Sequence, residues 1–137
     1  MKFSLRPSAK RRFAIAASVL MVAGAAASSA VADDDDIHWD AQGNAQRTLH
    51  LEPGKVAEYC GELSAHEKVQ WQFDATSPLD FNIHFHTGGE VSMPAKADGV
   101  AASKGILDPA SAQDYCWMWT SRGTLASSIE VSLKRLP

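Results

Sequence analysis

Hydrophobic and polar positions alternate with a period of two along most of this chain, and a helical period is nearly absent. Leu49 and Leu51 alternate with His50 and Glu52, and Pro53-Gly54 then signals a turn. Val56 to Leu63 reads as a second strand carrying Cys60. Val69, Trp71 and Phe73 alternate with Lys68, Gln70, Gln72 and Asp74. Side chains two apart on a strand share a face, so this pattern predicts strands with one apolar and one wet side. After Ser77-Pro78 the alternation is at its strongest: Leu79, Phe81, Ile83 and Phe85 against Asp80, Asn82, His84 and His86. Gly88-Gly89 supplies a turn, and Glu90 to Met93 a short return strand. Pro94 to Gly105 is small and polar and is expected to be the longest loop. Ala112 to Trp119 forms another strand, and Ile129, Val131 and Leu133 close the pattern. About six to eight short strands with frequent turn signals predict an all-β fold, a small antiparallel β-sandwich.

The first 32 residues break this pattern. Lys2, Arg6, Lys10, Arg11 and Arg12 make a positive front, and a small-residue apolar run follows from Phe13 to about Ala27. Ala30-Val31-Ala32 is an A-x-A cleavage signal directly before Asp33. The apolar run is short and rich in alanine for a membrane span. The expectation is a cleaved signal peptide over 1–32, an acidic flexible segment over 33–45 and a sandwich domain over 46–137. Export to the periplasm or full secretion follows, with no membrane span after cleavage.

Cleavage changes the charge. All 16 acidic residues lie after residue 32, but only 8 of the 13 basic ones do, so the whole-chain charge of −3 becomes −8. A surface this acidic argues against nucleic acid and anionic lipid as partners. The run Asp33-Asp34-Asp35-Asp36 is expected to stay solvated. An amino-terminal copper site is a poor fit there, since His38 is sixth from the new terminus and such a site wants it third.

Cys60 and Cys116 are the only cysteines, and no CxxC is present. In an oxidising compartment such a pair in a small domain is most simply a structural disulfide.

With these features in order, the stretch from Cys60 to Leu133 resembles the GOLD domain, a small β-sandwich of the secretory pathway. The resemblance lies in Cys60 at the end of an early strand, then KVQWQFDA, then PLDFNIHF, a glycine turn, a long loop, Tyr115 with Cys116, and a closing aliphatic strand. It implies a disulfide-bridged sandwich with a binding role. Tyr115 and Cys116 are adjacent where the family separates them. The family's transmembrane helix and cytosolic tail have no counterpart here, so cargo transport does not carry over.

Two constellations are candidates for chemistry. In His84-Phe85-His86 the two imidazoles share a strand face, a spacing that can ligate zinc or copper, and hairpin pairing across Gly88-Gly89 brings Glu90 into consideration as a third ligand. The pattern H-x-H-x3-E resembles the first metal motif of cupins. It departs from it at Pro78, at the second glycine and in having no histidine after His86. Both histidines can equally be polar residues on a wet strand face. In the second constellation, Tyr115, Trp117 and Trp119 share one face of their strand and Cys116 and Met118 the other. With Asn82, the three aromatics are a candidate ligand-binding set if they face outward, and core if they face inward.

No catalytic residues emerge. G-x-S-x-G, a free Cys-His pair and a phosphate-binding glycine loop are all missing. A copper electron-transfer site lacks its C-terminal histidine. The expectation is therefore a small exported, non-catalytic sandwich that binds a small ligand, a metal ion or a protein partner. The alternative is a small metalloenzyme or metal-binding protein built on the His-x-His pair.

Overall fold

A computed structural model describes residues 33–137, so the leader expected over 1–32 lies outside the described residues. Seven strands follow in order: β1 (Asp33–Asp36), β2 (Asn44–Leu51), β3 (Val56–Leu63), β4 (Val69–Thr87), β5 (Glu90–Leu107), β6 (Gln113–Thr120) and β7 (Ser127–Arg135). They are rich in β-branched and aromatic residues on one side and polar residues on the other, the composition a pleated, half-buried surface selects.

The strand order is β1-β3-β6-β4-β7-β2, with β5 beside β4. β4 belongs to both layers of the sandwich. Its first part, Val69 to Ala75, pairs with β7, and its second part, Asp80 to His84, pairs with β6. The sheet turns over between them, so the inner faces meet. Phe73 from the first part lies 4.7 Å from Phe81 and 5.5 Å from Trp119, and Trp71 lies 5.1 Å from Phe81 (ring centres). Around these rings one core gathers Leu49, Leu51, Tyr59, Ile83, Trp117, Ile129, Val131 and Leu133. The indole N–H groups of Trp117 and Trp119 are buried there with no hydrogen-bond partner.

Three features differ from the sequence reading. First, Ser77-Pro78 does not end a strand. The chain stays in β4, and a register shift against β5 between Asp74 and Leu79 absorbs the bend.

Second, Pro94 to Gly105 is not a loop but most of β5, which pairs with β4 from Glu90 to Leu107. Pro94 is tolerated because it sits on an edge strand at the register shift opposite Ile83 and Phe85. Gly99, at φ +65°, takes up a second shift, and its N–H donates to Asp80 Oδ1 at 3.0 Å. Gly105 stands opposite Trp71, where a Cβ would come within 2.8 Å of the indole.

Third, the tetra-aspartate run pairs in parallel with β3 as β1, the one parallel ladder among the described strands. The bidentate pair of Arg47 with Asp35 (2.9 and 3.0 Å) offsets part of its charge, and the buried Ile37 anchors its end.

Candidate functional site

The register places the second constellation first. Tyr115, Trp117 and Trp119 point inward and are 0–1% exposed, and the Tyr115 hydroxyl donates to the Ser111 carbonyl at 3.0 Å. These three are core and present nothing to a ligand. Alternation then puts Cys116 and Met118 on the outer face of β6. The Cys60–Cys116 disulfide is formed between direct register partners of β3 and β6.

That outer face carries the first constellation. Cys116 is also the register partner of His84, and Met118 is the partner of both Asn82 and Glu58. Two rows therefore cross three strands: Cys60, Cys116 and His84, and beside it Glu58, Met118 and Asn82. The bridge and Met118 form a floor over β6, and Glu58 reaches across it. His84 Nε2 lies 3.9 Å from Glu58 Oε1. His84 Nδ1 lies 2.9 Å from Asn82 Oδ1. A carbonyl oxygen only accepts, so Nδ1 carries the hydrogen and donates it. The His86 ring stands edge-on to His84, with centres 5.2 Å apart.

His84 and His86 do share a strand face, as alternation requires, but they do not share an environment. His86 is exposed, whereas His84 is 5% exposed and Asn82 8%. The outer face here is not a wet face, because the disulfide, Glu58 and Asn82 crowd around the ring. Burial holds the His84 imidazole below its ordinary pKa; Glu58 pulls it back up and His86 pushes it further down.

Glu90 does not join the histidines. It is the register partner of Thr87, one residue out of phase with His86, so it falls on the opposite face of the hairpin. Among the described residues, the group able to gather around one ion is Glu58, His84 and Cys116, with ligand atoms within 4.8 Å of one another. Glu58 was missed because it lies far upstream in sequence. A signal for it existed: it is two residues before Cys60 and so shares the bridge's face.

An open groove of about 600 Å³ lies at one end of β3 and β6, lined by Glu62, Leu63, Ser64, Glu67, Asp114 and Arg135 among others. Glu62 and Asp114 are direct register partners there. Glu67 pairs with Arg135, whose guanidinium stacks on Trp39 at 4.3 Å.

The fold and these surfaces define a small disulfide-bridged β-sandwich. No family model and no curated protein matches the sequence. Solved structures do match in fold. PliG of Aeromonas hydrophila, a periplasmic inhibitor of g-type lysozyme, superposes with a TM-score of 0.55 at 16% identity, over 75% of this chain and 96% of that one. The pre-peptidase C-terminal domain of a Bacillus anthracis collagenase does so with a TM-score of 0.55 at 11% identity, over 76% and 97%. At these identities the likeness is one of fold. No GOLD domain stands among these neighbours. Among the described residues, no helix is long and apolar enough to cross a membrane.

Proposed function

We propose that this chain is a small exported, non-catalytic binding protein whose partner is a basic protein. The observation that carries the reading is the acidic groove between the ends of β3 and β6. Glu62 and Asp114 face each other across that ladder, beside the Glu67–Arg135 ion pair that also lines the groove. Exposed carboxylates gathered at one strand end hold a local negative potential that favours a basic partner surface. The charge of −8 over residues 33–137 supports the same partner, since complementary charge steers association and resists mismatched partners.

The fold neighbour PliG is itself a periplasmic protein that inhibits another protein. Export rests on the basic front, the apolar run and the A-x-A signal of residues 1–32. The GOLD resemblance supports a binding sandwich of the same general kind.

The test uses protein recovered from the exported fraction, its mass first checked for a start at Asp33. A g-type lysozyme is titrated into it by calorimetry, and lysis by that enzyme is followed in parallel. The expected result is one-to-one binding that weakens as salt rises, slowed lysis, and a clear loss of affinity in the Glu62→Lys variant. Absence of binding at low salt to this and to a panel of other basic exported proteins refutes the reading.

A further inference from the structure

We propose that the outer face of the β2–β7–β4 sheet is a binding site for an uncharged, unbranched, β-linked glycan. The chain holds seven Asn and Gln residues, and four of them, Asn44, Gln46, Gln70 and Gln72, line one depression of about 220 Å³ on that face. Alternation puts them there. Ala45, Leu49, Trp71 and Phe73 turn into the core, so the residues between them turn out. The register then sets them in rows across the strands. Gln46, Ser132, Gln72 and Lys104 are successive partners from β2 to β5, and beside them run Asn44, Lys134, Gln70 and Ile106. A second depression of about 220 Å³ continues past Gln46 and Ser132 towards Thr48 and Glu130. The Gln46–Ser132–Gln72 row therefore lies along the middle of one shallow trough.

Chemistry, spacing and charge select the ligand. An amide side chain offers both donors and an acceptor, as the hydroxyls of a sugar do. Asn44 spends its N–H groups on Asp40. Among the described residues, the side chains of Gln46, Gln70, Gln72 and Ser132 have no hydrogen-bond partner in the protein. Neighbouring strands stand about 4.8 Å apart, close to the advance per sugar of a β-1,4-linked chain. A glycan lying across the strands thus meets one polar side chain per sugar. Lys134 and Lys104 on these two rows are balanced by Glu130 and Asp74, which are partners on the next row. The face therefore favours neither sign of charge, and the charge of −8 over residues 33–137 repels polyanions. Ile106, 63% exposed beside Gln70, supplies an apolar contact for the C–H face of a ring. The trough shares no lining residue with the acidic groove.

The test titrates cellohexaose, and separately chitohexaose, into the exported protein with its disulfide intact, followed by nitrogen–proton NMR. The two arms separate a plain hexose chain from an N-acetylhexosamine chain. The expected result is saturable binding of one of them with a Kd of about 1 mM or tighter. The side-chain NH₂ signals of Gln46, Gln70 and Gln72 should move most, and added salt should change the affinity little. The Gln46→Ala, Gln72→Ala double variant should lose at least tenfold in affinity while the rest of its spectrum stays native. Ile106→Ser should weaken binding severalfold. Failure of both hexasaccharides to bind at about 10 mM overturns the proposal. So does wild-type affinity in the double variant, or shifts centred on residues outside the trough.

Discussion

Removing the disulfide isolates how much of this fold rests on a constraint of the unfolded chain. The relevant change is the double variant Cys60→Ala, Cys116→Ala, which leaves no free thiol beside Glu58 and His84. The bridge joins residues 56 apart in sequence. Closing a loop of that length restricts the denatured ensemble by about 4 kcal/mol in the chain-entropy model. The sulfurs lie on the side of β3 and β6 away from Tyr115, Trp117 and Trp119, so the aromatic core keeps its packing. Most of the effect therefore falls on the unfolded state. A domain of this size is stable by roughly 5–15 kcal/mol, so the loss is a large share of the total. At about 4–8 °C per kcal/mol, the melting temperature should fall by roughly 15–30 °C. The assay is thermal melting by far-UV circular dichroism, with near-UV spectra at low temperature to report the tryptophans. The expected outcome is a native near-UV spectrum with a much lower midpoint. A drop below about 5 °C refutes the loop argument. A near-UV spectrum already lost at low temperature refutes the claim that the bridge is separate from the core.

Two other predictions follow from the β4–β5 pair. Gly105→Ala places a methyl 2.8 Å from the Trp71 ring, and overpacking of this kind should cost about 1–3 kcal/mol by urea denaturation; a neutral result would mean that β5 shifts freely over the indole. Asp80 is held below its ordinary pKa of 3.8, first by the Arg122 guanidinium and also by the Gly99 amide. As pH falls the unfolded chain takes up this proton before the folded one. The stabilisation is therefore present above about pH 3.8 and is lost as pH drops through the lower folded value. Asp80→Asn should make the melting temperature less dependent on pH below 4, and an unchanged slope would remove Asp80 from the account.

Strand faces were legible where burial is one-sided. Val69 to Asp74 and Leu79 to Ile83 show their inward set directly in the alternation, and the even cysteine pair announced the bridge. β5 was illegible because an edge strand held by backbone hydrogen bonds buries almost nothing: Leu107 alone is buried along it, so no apolar period marks it. Pro78 and Pro94 read as breaks because their lost N–H groups matter only if the ladder continues without a shift, and here it shifts. For the site, alternation placed His84 and His86 on one face but did not show which neighbours would crowd it. That depends on the register of β3 and β6, which brings Glu58 over the bridge and leaves Glu90 on the other side. The inward turn of Tyr115, Trp117 and Trp119 was one of two open choices, and the aromatic packing from Phe73 and Phe81 decides it.

That β4 runs through both layers also bears on the order in which they form. Of the described antiparallel ladders, the one between β4 and β5 is the only one closed by a tight turn, at Gly88-Gly89; those joining β2 to β7, β3 to β6 and β4 to β7 bring together residues tens of positions apart. Loop-closure entropy makes the hairpin the cheapest structure to nucleate. Once formed, it already holds Trp71, Phe73, Phe81 and Ile83 along one bent strand, core residues of both layers. The two layers then condense onto a shared template instead of searching for each other as finished sheets, and their relative orientation is set by the bend in β4 before either is complete.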